Sequence, residues 1–289
     1  MPGLSDIAII DGDAVARRAP YDRLVAALRA GHLEPMADCE RIVYGPDGAA
    51  ERFMALPAWQ RDGAIGVKLV TVFPDNPAAG LPAIQAVVLL FDGATGIPVA
   101  MLDGTELTYR KTAADSALGS QLLSRDDSEV LLMVGAGGLA PHLIAAHRAV
   151  RESIARVLIW NRTPTKAQDL VDAGVADEVV DDLDAAVPEA DIVSLATMAD
   201  SPLLRGALLR PGTHVDGVGA YLPDHRETDD DVVVRAEIFV DSRAAAVHEH
   251  GDLVIPLAAG TITPERIRAD LFELCRGRHR GRSGPDAIT

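Results

Sequence analysis

The chain has 289 residues, 48% of them hydrophobic and 24% charged, and carries a formal net charge of −16. This composition is typical of a soluble α/β protein with one large or two ordinary domains. So negative a chain is a poor candidate for binding nucleic acid or anionic membrane surfaces, although a local cationic pocket can still hold an acidic ligand.

Cysteine usage and the absence of targeting signals predict a cytoplasmic protein. No N-terminal stretch pairs a basic segment with an apolar one, and no apolar run approaches membrane-spanning length. Cys39 and Cys275 lie far apart and form no CxxC motif, which favours reduced thiols. The histidines show no metal-ligand spacing, so we expect no metal site.

The first 125 residues have the pattern of a mixed or antiparallel sheet. A strand is predicted at 7–10, and a helix at 21–30 from its apolar spacing. Further strands separated by turn residues are predicted at 41–44, 53–56, 65–73, 83–91 and 98–103. Strands without long helices between them favour antiparallel or mixed pairing. A helix is predicted over 108–124, and the polar run that follows predicts a boundary between domains 1–125 and 126–289.

The second domain opens with a dinucleotide-binding pattern. An apolar run at 130–134 leads into the six residues Gly135, Ala136, Gly137, Gly138, Leu139 and Ala140. A helix-length stretch and a second apolar run at 157–160 complete a βαβ unit, which holds a pyrophosphate at its helix N-terminus. Gly135 permits the tight turn, Gly137 lets the backbone approach the phosphates, and Ala140 allows close packing. The alternative is a tight turn that merely needs glycine.

The residues after the second strand of this unit indicate whether the cofactor is NAD or NADP. NAD-binding proteins usually place a carboxylate there for the ribose 2′-hydroxyl, whereas an arginine suits a 2′-phosphate. This chain has Asn161, Arg162 and Thr163. The guanidinium fork of Arg162 favours NADPH, with NADH as the alternative. Arg162 could equally be a solvated loop residue.

Alternating strands and helices continue after this point. Helices are predicted at 165–173 and 182–187, and strands at 178–180, 192–195, 213–218 and 238–240, the last being the final strand. Residues 277–289 are rich in arginine and glycine and lack apolar periodicity. We expect this tail to be poorly ordered.

Several segments, in order, resemble the ornithine cyclodeaminase/mu-crystallin family. They are GVKLVTVFP, LLFDGATGIPVAMLDG, LTYRKTAADSAL, VGAGGLAPHL, PGTHVDGVGAY, PDHRETDDDVV and EHGDLVIPL. The resemblance implies an α/β enzyme with a Rossmann NAD(P)-binding domain and an N-terminal α/β substrate and dimerisation domain with a mixed sheet. It also implies a homodimer acting on a small imino or amino acid.

The resemblance assigns a substrate role to three cations. Lys68 lies inside an apolar strand, where an unpaired ammonium is costly, although a lysine on a solvated strand face is the alternative. The family lysine at this position binds the substrate carboxylate and assists proton transfer. Arg41 matches a carboxylate-binding arginine. Lys111 replaces a family arginine; it keeps the charge but loses the bidentate fork. Arg110, one residue earlier, points about 100° away on a helix and is no direct substitute.

A second departure favours reduction over cyclodeamination. Tyr221 stands where cyclodeaminases and alanine dehydrogenases carry an acidic residue. A phenol with a pKa near 10 is a poor base at neutral pH. The segment around it resembles the imine (ketimine) reductase branch.

The resemblance and the fold also predict further cofactor-binding residues, some of which border the nicotinamide. They are Ala196 and Thr197 after one strand, Val218 and Gly219 after the next, and Asp252 in EHGDL, for which a plain turn is the alternative. The leading hypothesis is an NADPH-dependent reductase of a C=N bond next to a carboxylate, for example Δ1-pyrroline-2-carboxylate to proline. The alternatives are an ornithine cyclodeaminase, an alanine-type amino-acid dehydrogenase, or a catalytically silent NADPH-binding protein.

Overall fold

The computed structural model describes residues 7–35, 37–60, 63–220 and 222–289. The chain divides into two compact units. The mixed-sheet unit comprises Met1–Pro20 and Glu34–Lys111, and the parallel-sheet unit comprises Tyr21–Leu33 and Thr112–Thr289. No helix among the described residues is long and apolar enough to cross a bilayer.

The mixed-sheet unit is built on short strands in close succession, as predicted. Within the described residues its elements are β1 (Ala8–Ile10), α1 (Gly12–Arg18), β2 (Asp38–Cys39), β3 (Ile42–Tyr44), β4 (Arg52–Trp59), β5 (Ala64–Val72), β6 (Ile84–Asp92) and β7 (Pro98–Asp103). The strand order is β1-β7-β6-β5-β4-β2, with β3 also paired to β4. Strand β1 is parallel to β7 and the other pairs are antiparallel, which confirms the mixed sheet.

Strand register assigns the side chains of this sheet to two faces. Lys68 lies opposite Leu56 on β4 and Val88 on β6, so these three share one face. Val88 on that face is buried. Alternate residues such as Trp59 point to the other face, because successive side chains of a strand alternate. Trp59 is 52% exposed.

Helix α3 (Gly104–Leu123) begins four residues before the predicted start. The reason is Asp103, whose Oδ1 accepts the backbone N–H of Glu106 at 2.8 Å and so caps the first turn. The division between the two units falls inside this helix, after Lys111. In the parallel-sheet unit its small side chains, Ala113, Ala114 and Ala117, are completely buried.

The parallel-sheet unit contains the predicted Rossmann fold. Its sheet strands are β8 (Val130–Val134), β9 (Arg156–Trp160), β10 (Glu178–Val179), β11 (Ile192–Leu195) and β12 (His214–Gly217), and its accompanying helices are α2 (Tyr21–Gly31), α4 (Ala140–Val150), α5 (Pro164–Asp172) and α6 (Leu183–Ala186). The five strands are parallel and ordered β10-β9-β8-β11-β12. The chain direction across the sheet reverses between β8 and β11, and such a reversal opens a crevice at the carboxyl ends of the strands.

The region after β12 differs from the prediction. It contains α7 (Asp230–Arg235), β13 (Ile238–Val240), α8 (Arg243–Glu249), α9 (Gly251–Ala258), β14 (Ile267–Asp270) and α10 (Leu271–Cys275). Strand β13 is therefore not the last; it pairs with β14 in a separate two-stranded parallel sheet. Of the four residues of β14, IRAD, the two apolar ones are buried, but the other two are charged, so the hydrophobic pattern is weak.

The expectation of a poorly ordered tail is wrong. Ile288 and Thr289 are buried, and the carbonyl of Thr289 accepts the N–H of Val215 at 2.8 Å. Arg282 donates to three backbone carbonyls, those of Leu123 (2.7 Å), Gly212 (3.0 Å) and Pro285 (3.1 Å). Order here comes from backbone pairing and arginine–carbonyl bonds, which apolar periodicity does not report.

Replacing Arg282 by alanine removes these donors and leaves partly buried carbonyls without them. We expect Arg282→Ala to lower the free energy of unfolding by about 2–3 kcal/mol, measured by urea denaturation. The control is Arg280→Ala, because Arg280 is exposed and its contact with the carbonyl of Ser283 is 3.5 Å long. Equal losses from the two variants would contradict this role of Arg282.

Candidate functional site

The glycine turn lies at the reversal point of the parallel sheet. Gly135 follows β8 with a φ of +112°, a conformation that other residues rarely adopt. A Cβ at Gly135 would lie 2.7 Å from the carbonyl oxygen of Ala196, which follows β11. The turn therefore needs glycine both for its backbone angle and for its packing against the loop after β11.

The next residues leave room for a ligand. A Cβ built at Gly137 would meet no heavy atom within 4 Å. Helix α4 begins at Ala140, and its N-cap, Leu139, makes no side-chain capping bond. The first N–H groups of a helix attract anions, and here no capping side chain competes for them. Gly138 is exposed while Ala140 is buried in the core, so the turn fits a pyrophosphate.

Asn161 braces the glycine turn from the end of β9. Its Oδ1 accepts the N–H of Ala136 at 3.0 Å, and its Nδ2 donates to the carbonyl of Thr163 at 2.8 Å. Arg162 is exposed, and Thr163 is the N-cap of α5 without a side-chain capping bond. A guanidinium beside a helix N-terminus suits a phosphate group.

Two of the predicted cofactor-binding residues, Thr197 and Gly219, are held together by the carboxylate of Glu227. Thr197 follows β11 and Gly219 follows β12. The Oε1 of Glu227 accepts both the N–H and the hydroxyl of Thr197 at 2.6 Å, and its Oε2 accepts the N–H of Gly219 at 2.7 Å. One buried side chain therefore ties together the loops that follow two neighbouring strands.

Asp252 extends this arrangement from the first turn of α9, where sequence analysis left a plain turn as the alternative. Its Oδ1 accepts the N–H and hydroxyl of Thr228, both at 2.8 Å, and the N–H of Glu227 at 3.0 Å. Burial raises the pKa of Asp252, and the bonds from Thr228 partly oppose that rise.

Sequence reasoning did not single out Glu227. It lies in the run PDHRETDDDVV, where a solvated charged face is the ordinary reading, yet its side chain is completely buried. Burial raises the pKa of Glu227, the bonds from Thr197 lower it, and the nearby charge of Asp252 raises it. The only sequence signal for this residue is that the segment matches the family.

In the mixed-sheet unit the three predicted cations lie near one another. Burial lowers the pKa of Lys68, and the positive charges of Lys111 and Arg41 lower it further. Lys68 Nζ is 3.5 Å from the hydroxyl of Thr108, which donates to the carbonyl of Gly104 at 2.6 Å. A lysine beside two further cations is chemically suited to an anionic ligand.

Arg110 has structural partners instead. Its Nε donates to the Oε1 of Glu106 at 2.6 Å, one helical turn earlier, and its guanidinium also donates to the carbonyl of Ala19. Tyr221 lies outside the described residues. Among the residues that the structure describes, no group of three or more metal-ligating side chains could hold a metal ion.

The parallel sheet and its glycine turn define the class of Rossmann-fold dinucleotide-binding proteins. Within that class, the family model described as "Ornithine cyclodeaminase/mu-crystallin family" matches residues 20–289. The chain belongs to this family, which confirms the resemblance seen in the sequence.

The chain is similar to individual proteins and solved structures. The chain is 45% identical over 282 residues to Delta(1)-pyrroline-2-carboxylate reductase of Paracoccus denitrificans, covering 96% of this chain and 88% of that protein. It resembles the structure of Thermococcus litoralis Delta(1)-pyrroline-2-carboxylate reductase with NADH and L-proline (TM-score 0.90, 29% identity, 98% and 90% of the two chains). It also resembles an archaeal alanine dehydrogenase dimer with bound NAD (TM-score 0.88, 25% identity, 98% and 89%).

Proposed function

We propose that this protein is an NADPH-dependent reductase of a C=N bond next to a carboxylate, with Δ1-pyrroline-2-carboxylate as substrate and proline as product. The observation that carries the proposal is the cluster of Lys68, Arg41 and Lys111 in a chain that also has a dinucleotide-binding turn. Its 45% identity to a reductase of that name supports the substrate.

The cation cluster suits the substrate carboxylate. An imino acid contributes one negative charge, which relieves the repulsion of Lys68 by Arg41 and Lys111. Lys111 acts as a point charge where the family has an arginine fork, so the bidentate contact falls to Arg41. The hydroxyl of Thr108, on the neighbouring helix, lies 3.5 Å from Lys68 Nζ.

Lys68 is also the proposed acid of the reaction. A lowered pKa makes its ammonium a better proton donor near neutral pH than an ordinary lysine. Protonation of the imine nitrogen increases the electrophilicity of the adjacent carbon. The chain thus offers one side chain that both binds the carboxylate and polarises the C=N bond.

The parallel-sheet unit fits NADPH. The turn from Gly135 to Ala140 would hold the pyrophosphate, and Asn161 would keep that turn in shape. Arg162 and Thr163 would hold the 2′-phosphate. The side of the nicotinamide would be bordered by Ala196, Thr197, Val218, Gly219 and Asp252. When bound, the cofactor supplies the hydride for the imine carbon.

An imino-acid assay tests this function. NADPH oxidation should depend on Δ1-pyrroline-2-carboxylate, and Lys68→Met should lower kcat/KM by about 10²–10⁴ through loss of the acid and of one carboxylate contact. Arg52→Met is the control, since Arg52 lies on the neighbouring strand and bonds to the carbonyls of Ala49 and Glu51. Wild-type activity in Lys68→Met would contradict the proposal, as would bound NADPH that no imino acid oxidises.

The cofactor preference has its own test. Arg162→Ala should raise KM for NADPH by about tenfold or more, because it removes a charge-assisted contact to the 2′-phosphate. NADH is the internal control, since it lacks that phosphate and its KM should stay within twofold. An equal increase in KM for NADPH and for NADH would show that Arg162 does not bind the 2′-phosphate.

We propose a homodimer formed through the exposed face of the mixed sheet. Among the described residues, the large apolar side chains exposed on that face include Ile9, Tyr44, Phe53 and Trp59. Large apolar side chains exposed on one face of a sheet are typical of protein interfaces. The alanine dehydrogenase neighbour is itself a dimer.

Sedimentation measures this assembly. The wild-type protein should sediment at twice the chain mass of 30.5 kDa, and Trp59→Asp should shift it towards the monomer. Val234→Asp is the control, because Val234 is similarly exposed but lies on α7 of the other unit. A wild-type monomer at micromolar concentration would contradict the dimer.

A further inference from the structure

Glu227 and Asp252 concentrate negative charge at the carboxyl ends of β11 and β12. Glu227 is completely buried, and the charge of Asp252 acts on it directly. Arg226, the nearby cation, is bonded to Asp230, so its charge is shared with a third carboxylate. Arg226 also acts on Asp252, so among these described side chains the three carboxyl groups outnumber the one guanidinium by two.

Burial raises the pKa of both carboxyl groups, and the hydrogen bonds that they accept oppose that rise. Glu227 accepts from the N–H and hydroxyl of Thr197 and from the N–H of Gly219. Asp252 accepts from the N–H and hydroxyl of Thr228 and from the N–H of Glu227. Hydrogen bonds donated to a carboxylate stabilise its charge. Because every one of these donors is neutral, none of them cancels that charge.

We propose that Glu227 and Asp252 form a fixed negative field behind the nicotinamide position and make the protein prefer the oxidised, cationic ring over the reduced, neutral one. This inference rests on the proposed function, which places the ring beside Thr197 and Gly219. As the hydride moves to the imine carbon, the ring becomes a cation and the protonated imine becomes an amine. A negative charge already in place stabilises that change without having to reorganise.

Asp252→Asn removes one charge with little change of shape. The amide oxygen can take the place of Oδ1, which accepts the three bonds. Within the part of the chain that the structure describes, Oδ2 accepts no hydrogen bond, because the three donors are all bonded to Oδ1. An amide NH₂ can therefore occupy the Oδ2 position.

The test compares the dissociation constants of NADP⁺ and NADPH by calorimetry. For Asp252→Asn, the ratio Kd(NADP⁺)/Kd(NADPH) should rise roughly tenfold, as for loss of one unit charge within about 12 Å at an effective dielectric constant near 20. A general loosening of the fold would instead weaken the binding of NADP⁺ and of NADPH equally, and the ratio would not change. The control is Glu152→Gln, which removes a charge from the segment before β9, at the opposite edge of the sheet.

An unchanged ratio in Asp252→Asn, or equal weakening of both forms, overturns the inference. If a melting curve shows that this variant does not fold, Glu227→Gln receives the same measurement and the same criterion. The amide NH₂ of this variant would face a hydrogen-bond donor, either of Thr197 or of Gly219. We therefore expect Glu227→Gln to disturb the local structure more than Asp252→Asn does. If the wild-type protein binds neither NADP⁺ nor NADPH, both the proposed function and this inference are wrong. If it binds them and the ratio of dissociation constants is unchanged in the variant, only the inference is wrong.

Discussion

The carboxyl edge of the parallel sheet depends on two close contacts. At one, Gly135 packs so near the carbonyl of Ala196 that no side chain fits between them. At the other, the buried carboxylate of Glu227 joins Thr197 to Gly219. Together these contacts fix the ends of β8, β11 and β12 relative to one another. A turn that holds phosphates and loops that border a nicotinamide need that fixed geometry.

The local charge near Lys68 is opposite in sign to the net charge of the chain. The chain carries a net charge of −16, yet the mixed-sheet unit gathers Lys68, Arg41 and Lys111 closely enough to lower the pKa of Lys68. The parallel-sheet unit instead buries a carboxylate, Glu227, whose pKa burial raises. In the proposed function, the cations of the first unit would bind an anionic substrate, and the carboxylates of the second would lie near a ring that gains positive charge.

Sequence predicted the features that local pattern controls. The bounds of β7 and β11 match the prediction, since both are compact apolar runs between turns. The start of α3 was missed because it depends on a capping bond from Asp103. The tail was missed because Arg282 orders it through distant carbonyls. Glu227 was missed because its partners come from loops that only the fold brings together.

A crystal structure with NADPH and pyrrole-2-carboxylate, a planar mimic of the imino acid, tests the central claim most directly. The account predicts that the ligand carboxylate lies within hydrogen-bonding distance of Lys68 Nζ and the Arg41 guanidinium. It also predicts that the 2′-phosphate contacts Arg162. A carboxylate bound away from Lys68, with its Nζ turned elsewhere, would contradict the account.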